Sequence, residues 1–293
     1  EKAEAPIAVL EQTMKWPRLN SDNEKVLLKS RLETLSLNVT SLLNFLDVPS
    51  GGPAYFFEHN ILRLPDSKSA TLSHGTAMHF ALEIAQKLVN TDQFTLEQVL
   101  EAYQQALRNE HLPKTEFNRY LKHGHQELTR LFDGPLQLTK GSLPEQKLTD
   151  IRLNGTVIGG KLDRVDVVDD KTLVIVDYKT GAPLASFTTK DNTKAVKAWK
   201  ARMQLIFYAL LARETPRYRG KTIEGRMIYL EAPTEKDFSK SYWPSVEEIT
   251  RLEKLIAAVW KHTMSLDFPD TSKYSQDYQG IVDFEDDLIA GKI

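Results

Sequence analysis

Two aspartates and a lysine occur at spacings that favour metal-ion chemistry. Asp177 and Lys179 directly follow the apolar run Leu173–Val176, which is typical of a strand buried on both faces. Residues two apart on a strand project to the same side, so these two side chains should lie together. Asp163 follows the flexible pair Gly159-Gly160 on the segment before. Because Mg²⁺ and Mn²⁺ prefer carboxylate oxygens, we interpret this set as a divalent-cation site with a cationic helper.

The elements that must position these residues form a predicted β-hairpin. Its first strand covers Val157–Val168, a turn covers Asp169–Lys171, and its second strand covers Leu173–Lys179. A ladder of ordinary cross-strand ion pairs, each contributing little to stability, is the alternative reading. That ladder would comprise Asp163, Arg164, Asp166, Asp177 and Lys179.

Two predicted helices add polar residues at a spacing of four. A helix over about Thr193–Arg213 carries Gln204 and Tyr208, and a helix over about Thr76–Val89 carries His79 and Glu83. Residues four apart share one helical face, so each pair can point at the same site. A single helical histidine is more often structural than a ligand.

The motifs GxxDRVD, VDYKTG and QLxxY follow one another on the predicted strand, strand and helix. In this order they resemble the RecB-type nuclease family of the PD-(D/E)XK superfamily, and GTAMH at Gly75–His79 resembles the family's early histidine motif. The resemblance covers about residues 36–232. It implies an α/β fold with a restriction-endonuclease-like core, in which helices flank a mixed central sheet, and an added N-terminal helical part.

The resemblance also implies a metal site. Asp163, Asp177 and the main-chain carbonyl of Tyr178 would hold Mg²⁺ or Mn²⁺, and His79 would complete or orient the ligand set. Glu145 loosely matches an acid that the family often carries on the preceding strand, although a solvent-facing glutamate fits the sequence equally well.

The remaining implied roles concern catalysis and support. Lys179 would position the attacking water and offset charge in the transition state. Gln204 and Tyr208 would hold phosphates or order Lys179, and Glu83 is a candidate supporting acid.

Basic residues concentrate around the second of these helices. Between Ser186 and Lys221 there are nine basic residues against two acids, and Lys197 and Lys200 form one helical stripe with Gln204 and Tyr208. We interpret the stripe as a phosphate-tracking groove, with a solvated helix face as the alternative. Its candidate DNA-binding residues are Lys194, Lys197, Lys200 and Arg202, and Trp199 could stack on a base or simply pack.

Composition limits the other possibilities. The 293 residues are 41% apolar and 27% charged, as expected of a globular protein without a membrane span or secretory signal, so we expect a cytoplasmic location. The chain has no cysteine, which excludes thiolate zinc and iron–sulfur sites and leaves oxygen and imidazole as metal ligands. The net charge of −2 requires that any basic surface be local.

The predicted organisation has three parts. Residues 1–35 form a helical extension with two short helices broken around Pro17–Asp22, residues 36–266 form the nuclease domain with its core at about 72–232, and residues 267–293 form an acidic extension. The chain begins with Glu1 rather than Met. Because such domains often follow UvrD-like helicases, we expect a helicase motor domain or subunit as partner.

The expected function is a metal-dependent DNA nuclease, an exonuclease acting in repair or recombination. A catalytically silent DNA-binding or scaffold module is the alternative, and an enzyme acting on RNA is a third possibility. His74 is expected in a loop. A metal site at His123-Gly124-His125 is disfavoured because no acid in the sequence completes a ligand set there.

Overall fold

A mixed five-stranded sheet forms the centre of the molecule, with strands in the order β1-β2-β3-β4-β5. The computed structural model describes the backbone of residues 21–293 and the side chains of residues 26 and 28–293. The strands are β1 (Leu143–Leu153), β2 (Thr156–Val167), β3 (Thr172–Lys179), β4 (Thr222–Tyr229) and β5 (Ser239–Tyr242). All neighbours are antiparallel except β3 and β4, which run parallel.

Helices flank this sheet. They are α1 (Ser21–Glu33), α2 (Val39–Leu46), α3 (Gly52–Phe56), α4 (Ala70–Asn90), α5 (Leu96–Asn109), α6 (Lys114–Asp133), α7 (Asn192–Glu214), α8 (Glu235–Phe238), α9 (Val246–Ser265) and α10 (Tyr278–Ile289). Short 3₁₀ turns lie at Val48–Ser50 and Pro216–Tyr218, and a π turn lies at Phe57–Ile61. The predicted fold class is therefore confirmed, including the N-terminal helical part.

The hairpin of β2 and β3 forms as the sequence predicts. The apolar run of β3 is buried, because β2 and β4 pair with its two edges while helices cover its faces. The strand before this hairpin, β1, is a single long strand whose register shifts between Leu148 and Ile151 and which turns at Asn154-Gly155 into β2.

Side-chain caps fix where the helices begin. Asn38 caps α2 through a capping box with Ser41. Ser69 caps α4, which therefore starts six residues before the predicted Thr76. Ser245 caps α9 through a capping box with Glu248.

The acidic C-terminal segment contains a helix that packs on the core. Phe284 of α10 is fully buried and stacks on Phe45 at 6.2 Å between ring centroids. Trp199 of α7 is also buried, and its Nε1 donates to Glu285 at 3.0 Å. Trp199 thus packs rather than offering a free ring to a base.

The N-terminal extension is described only in part. The first of its two predicted helices falls outside the described residues, and α1 covers the second. Within residues 21–293, every helix is too short or too polar to span a lipid bilayer.

Candidate active site

Three carboxylates lie level with one another across three adjacent strands. Arg164 pairs with Val176, which places Asp163 level with Asp177 in the antiparallel register. The pairs on either side of Glu145 likewise place it level with Asp163. Level residues on adjacent strands project to the same side of a sheet, so the register alone gathers these acids.

Glu145 adopts a backbone conformation that is unusual for a strand. Its φ of 51° lies in the left-handed region, which costs a non-glycine residue about 1–2 kcal/mol. Such outliers cluster at functional sites, where the surrounding structure enforces them. The Glu145 carboxylate forms an ion pair with Lys161 of β2.

Helix α4 brings His79 to the same edge. His79 Nδ1 lies 3.2 Å from Asp163 Oδ1, and Asp163 Oδ2 accepts a hydrogen bond from the Tyr178 backbone N–H at 2.8 Å. Burial disfavours the charged forms of both side chains, but their mutual attraction outweighs it. The pKa of His79 is therefore raised and the pKa of Asp163 is lowered.

Helix α7 supplies an amide that contacts the end of β3. Gln204 Oε1 accepts from Lys179 Nζ at 2.8 Å, while Gln204 Nε2 donates to Asp177 Oδ1 at 2.7 Å and to the Tyr208 hydroxyl at 2.8 Å. The helix approaches closely because β4 carries Gly225, where a Cβ would come within 2.9 Å of Leu205 Cβ. Of the two predicted roles for Gln204, ordering Lys179 is the one the contacts show.

Asp177 is the most constrained carboxylate of the group. It is 3% exposed, and burial together with the nearby charge of Asp163 raises its pKa, although Lys179 opposes the shift. Lys179 Nζ forms an ion pair with Asp177 Oδ2 at 2.8 Å. Burial outweighs this pair, so the charged form of Asp177 is disfavoured in the protein alone.

The donor set fits a hard divalent cation. Ligand atoms of His79, Glu145 and Asp163 lie within 4.8 Å of one another, and Asp177 lines the same cleft. Carboxylate oxygens with one imidazole suit Mg²⁺ or Mn²⁺. Glu145 is therefore a stronger ligand candidate here than the sequence indicates.

These side chains line one cleft of about 710 Å³. Glu83 lies at its wall, where it forms an ion pair with Lys87 at 2.6 Å. The cleft also exposes apolar side chains at its rim, with Leu72 59% and Phe80 40% exposed. A polar floor with an apolar rim can hold a phosphodiester while contacting bases or sugars.

Sequence reasoning missed two cleft residues. Lys161 lines the cleft and pairs with Glu145; it stands two residues before Asp163, a strand spacing that could have found it. Phe80 follows His79 directly, and only the rotation of α4 shows that it reaches the rim.

The ion-pair alternative describes only part of the hairpin. Arg164 turns away from the cleft and pairs with Asp166 at 2.9 Å and with the Tyr178 hydroxyl at 2.7 Å. Asp163, Asp177 and Lys179 instead all line the cleft.

The structure does not bring the predicted basic stripe into the cleft. Gln204 and Tyr208 line the cleft, but none of the four candidate DNA-binding residues contributes to its wall over the described chain. Lys194 pairs with Asp191, Lys197 Nζ donates to the Ala182 carbonyl, Lys200 pairs with Asp47, and Arg202 reaches Tyr278. Their role in DNA binding stays a prediction.

Replacing Lys200 by alanine should destabilise the fold. Asp47 is 2% exposed and one of its carboxylate oxygens has no hydrogen bond, so Lys200 is its main compensation. Loss of the lysine should cost about 1–3 kcal/mol, measured by denaturant unfolding. Lys197→Ala, on the same helix, is the control and should change stability by less than about 0.5 kcal/mol. Equal effects from the two variants would contradict this account.

A second cluster of titratable groups lies away from the cleft. His74 lies within α4 and is 2% exposed, so its expected loop position is wrong; the N-cap of α4 lies further upstream than the sequence suggested. His123 Nε2 lies 3.4 Å from Glu231 Oε1. The expectation that no acid accompanies His123 is also wrong, because Glu231 is remote in sequence.

Comparison with known proteins identifies the class. A family model described as "PD-(D/E)XK nuclease superfamily" matches residues 50–275, which is most of the chain. The protein therefore belongs to the PD-(D/E)XK nuclease superfamily, whose members hydrolyse nucleic acids and typically use divalent metals.

The chain is also similar to a solved structure from Eubacterium rectale that is described as a "Putative exonuclease". The two share 12% sequence identity, and the match covers 95% of this chain and 89% of that chain with a TM-score of 0.48. No curated protein matches the sequence.

Proposed function

We propose that the protein is a Mg²⁺- or Mn²⁺-dependent deoxyribonuclease of the RecB type. The observation that carries this proposal is the row of Glu145, Asp163 and Asp177 across β1–β3, with His79 at one side and Lys179 at the other. A silent scaffold would not need these groups, and their retention in one cleft favours catalysis.

His79, Glu145, Asp163 and Asp177 would hold the ion, together with the main-chain carbonyl of Tyr178. A divalent ion held there would supply Lewis-acid polarisation of the scissile phosphate and would lower the pKa of a bound water. Asp163 raises the pKa of His79 and so favours its protonated form. The ring must release that proton before it can act as a metal ligand.

Lys179 would act on the phosphate directly. Gln204 and Asp177 fix its ammonium group from two sides, so it is oriented before substrate arrives. A fixed positive charge beside the phosphate stabilises the charge that builds up in the transition state and positions the water. The resemblance to RecB-type enzymes favours products with a 5′-phosphate and a 3′-hydroxyl.

We further propose that the enzyme is an exonuclease that works with a UvrD-like helicase motor in repair or recombination. The support for this part is the motif resemblance alone. If it holds, degradation of linear duplex DNA should rise when such a motor and ATP are added, while circular DNA should remain uncut.

Incubation with end-labelled DNA tests the proposal. Single- and double-stranded substrates, and an RNA of the same sequence, should be compared with Mn²⁺ and with chelator. Cleavage of DNA that needs Mn²⁺ and shortens the strand from one end is the expected result. Preferred cleavage of the RNA would favour an enzyme that acts on RNA. No cleavage of any substrate would favour a catalytically silent DNA-binding or scaffold module.

We propose that the DNA strand runs along a groove that the sequence did not predict. A second depression adjoins the cleft and shares Lys161 and Tyr208 with it, and Lys147 lines it as well. Lys147 and Lys161 are paired on adjacent strands. Exposed cations in line with the cleft are suited to the phosphates that flank the scissile bond.

Lys147→Ala should weaken DNA binding without sequence preference. Loss of one phosphate contact should make the slope of log K against log salt less negative by about 0.7 for single strands. The loss of affinity should be the same for all sequences, because phosphate contacts carry no base information. Fluorescence anisotropy over a salt series measures both. Lys171→Ala, in the hairpin turn between β2 and β3, removes the same charge elsewhere and is the control. Equal slopes for the two variants would mean diffuse attraction rather than a groove.

A further inference from the structure

Two histidines and a glutamate from three separate elements converge beside α4, the helix that also carries His79. His74 comes from α4, His123 from α6, and Glu231 from the segment after β4. His74 and His79 are five residues apart on α4, so they point about 140° apart around its axis. The cluster therefore belongs to the opposite flank of the helix from the cleft.

The separations of the donor atoms match those of a tetrahedral metal site. Glu231 Oε1 lies 3.0 Å from His74 Nε2 and 3.4 Å from His123 Nε2. Zinc bonds of about 2.0–2.1 Å at tetrahedral angles place neighbouring ligand atoms about 3.3 Å apart. All three ligand atoms lie within 4.8 Å of one another.

The other ring nitrogen of His74 is held as it is in metal-binding histidines. The Tyr103 hydroxyl donates to the Tyr120 carbonyl at 2.7 Å and lies 2.9 Å from His74 Nδ1. Since the hydroxyl proton is engaged, His74 Nδ1 is the donor to Tyr103. In the neutral ring, Nε2 then presents a lone pair toward the Glu231 carboxylate, which is favourable when a cation lies between them.

A glycine makes this arrangement possible. A Cβ at Gly124 of α6 would overlap the Tyr103 ring, so the glycine between His123 and His125 admits the tyrosine that orients His74. The cluster thus accounts for His123 and Gly124 of the sequence motif.

We propose that His74, His123 and Glu231 form a second metal site, selective for Zn²⁺ over Mg²⁺. Two imidazoles and one carboxylate suit zinc, whereas Mg²⁺ prefers an all-oxygen octahedral shell. His123 is 39% exposed and Glu231 29% exposed, which gives the ion an entry path and leaves a fourth position for water.

The bound zinc would stabilise the position of α4 relative to the end of β3. It would join α4 and α6 to Glu231. The preceding residue, Leu230, donates its backbone N–H to the Lys179 carbonyl at 2.8 Å. The site thus links the helix carrying His79 to the end of the strand carrying Lys179. This role does not depend on the reaction at the cleft.

Zinc binding to the full chain tests the proposal. Metal-stripped protein is titrated with ZnCl₂ in excess Mg²⁺ by calorimetry, and its bound zinc is counted after dialysis. One equivalent of Zn²⁺ is expected. At about 100 times its Kd, the ion should raise Tm by about 5 °C through mass action.

Matched variants identify the ligands. His123→Ala and Glu231→Gln should each lose the Zn²⁺ equivalent and the Tm shift. Tyr103→Phe should bind about tenfold more weakly or worse, because His74 loses its orienting acceptor. His111→Asn removes an exposed histidine elsewhere and should bind like wild type, as should Asp163→Ala, which alters the cleft.

Three results would overturn the proposal. Zinc binding that survives in both His123→Ala and Glu231→Gln places the ion elsewhere. Loss of binding in Asp163→Ala means that the cleft took the zinc. Absence of binding by wild type means that the cluster is an imidazolium–carboxylate pair only.

Discussion

Asp177→Asn should reduce Mn²⁺-dependent cleavage by about 10³-fold or more. The substitution keeps an oxygen that can accept from Gln204 Nε2 but removes a negative charge from the row of carboxylates. A catalytic metal supplies several kcal/mol of transition-state stabilisation, and each 1.36 kcal/mol is tenfold in rate. Single-turnover cleavage of a labelled strand measures the loss. Asp163→Asn should behave in the same way.

Asp170→Asn is the matched control. It removes one exposed carboxylate from the turn that follows β2, and its cleavage rate should stay within about twofold of wild type. The loss of activity should coincide with a loss of metal-dependent stabilisation, because an ion that binds only the folded state raises Tm by mass action. If Asp177→Asn cuts at the normal rate, its assignment as a ligand is wrong.

The effect of Asp177→Asn on stability should depend on pH. Burial raises the pKa of Asp177, so in the absence of metal its charged form is less favourable in the folded chain than in the unfolded chain. This residue's contribution to stability is therefore present at acidic pH and is lost as pH rises through its folded pKa. In chelator, the difference in stability between wild type and Asp177→Asn should shift in favour of the variant from about pH 4 to about pH 8.

Lys179→Ala should reduce the cleavage rate by about 10²-fold while leaving Mn²⁺ binding in place. The ammonium group lies 2.8 Å from both Gln204 Oε1 and Asp177 Oδ2 and faces the cleft. Loss of one pre-oriented charge partner of the transition state typically costs 10²–10³ in rate. Calorimetric titration with Mn²⁺ and single-turnover kinetics separate the two effects.

The opposite pattern would change the role of the lysine. Should metal affinity fall in Lys179→Ala and high Mn²⁺ restore the rate, the lysine would only brace Asp177. Lys161→Ala is an informative comparison, because its ammonium group faces the same cleft but pairs with Glu145. We expect Lys161→Ala to weaken substrate binding more than it slows the chemical step, since phosphate contacts made before and during reaction affect both states equally.

Local patterns were sufficient to predict the hairpin of β2 and β3. The apolar run before Asp177 marks a buried strand, the spacing of Asp177 and Lys179 sets their common side, and the turn residues fix the hairpin. These signals act over a few residues of chain. The sequence therefore predicted β2, β3, α7 and the grouping of Asp163, Asp177, Lys179 and Gln204 that the structure shows.

Contacts between remote segments were beyond these patterns. Lys200 belongs to the predicted stripe by helical spacing, yet it pairs with Asp47 of another helix end. The alternative, a basic groove through Lys147 and Lys161, depends on the pairing of β1 with β2. Whether a cation faces DNA or a buried acid is decided by what packs against it.

The sequence by itself determined the chemistry available to this protein: carboxylates and a lysine at strand spacing, imidazole, and no thiol. Beyond the hairpin and its helix, only the tertiary structure decided which of these groups meet. Strand register brought Glu145 level with Asp163 in a left-handed conformation, and chain reversal brought Glu231 to His74 and His123. The physical reason is that periodicity reports which way a side chain points on its own element, whereas a site needs the relative placement of several elements, which core packing fixes.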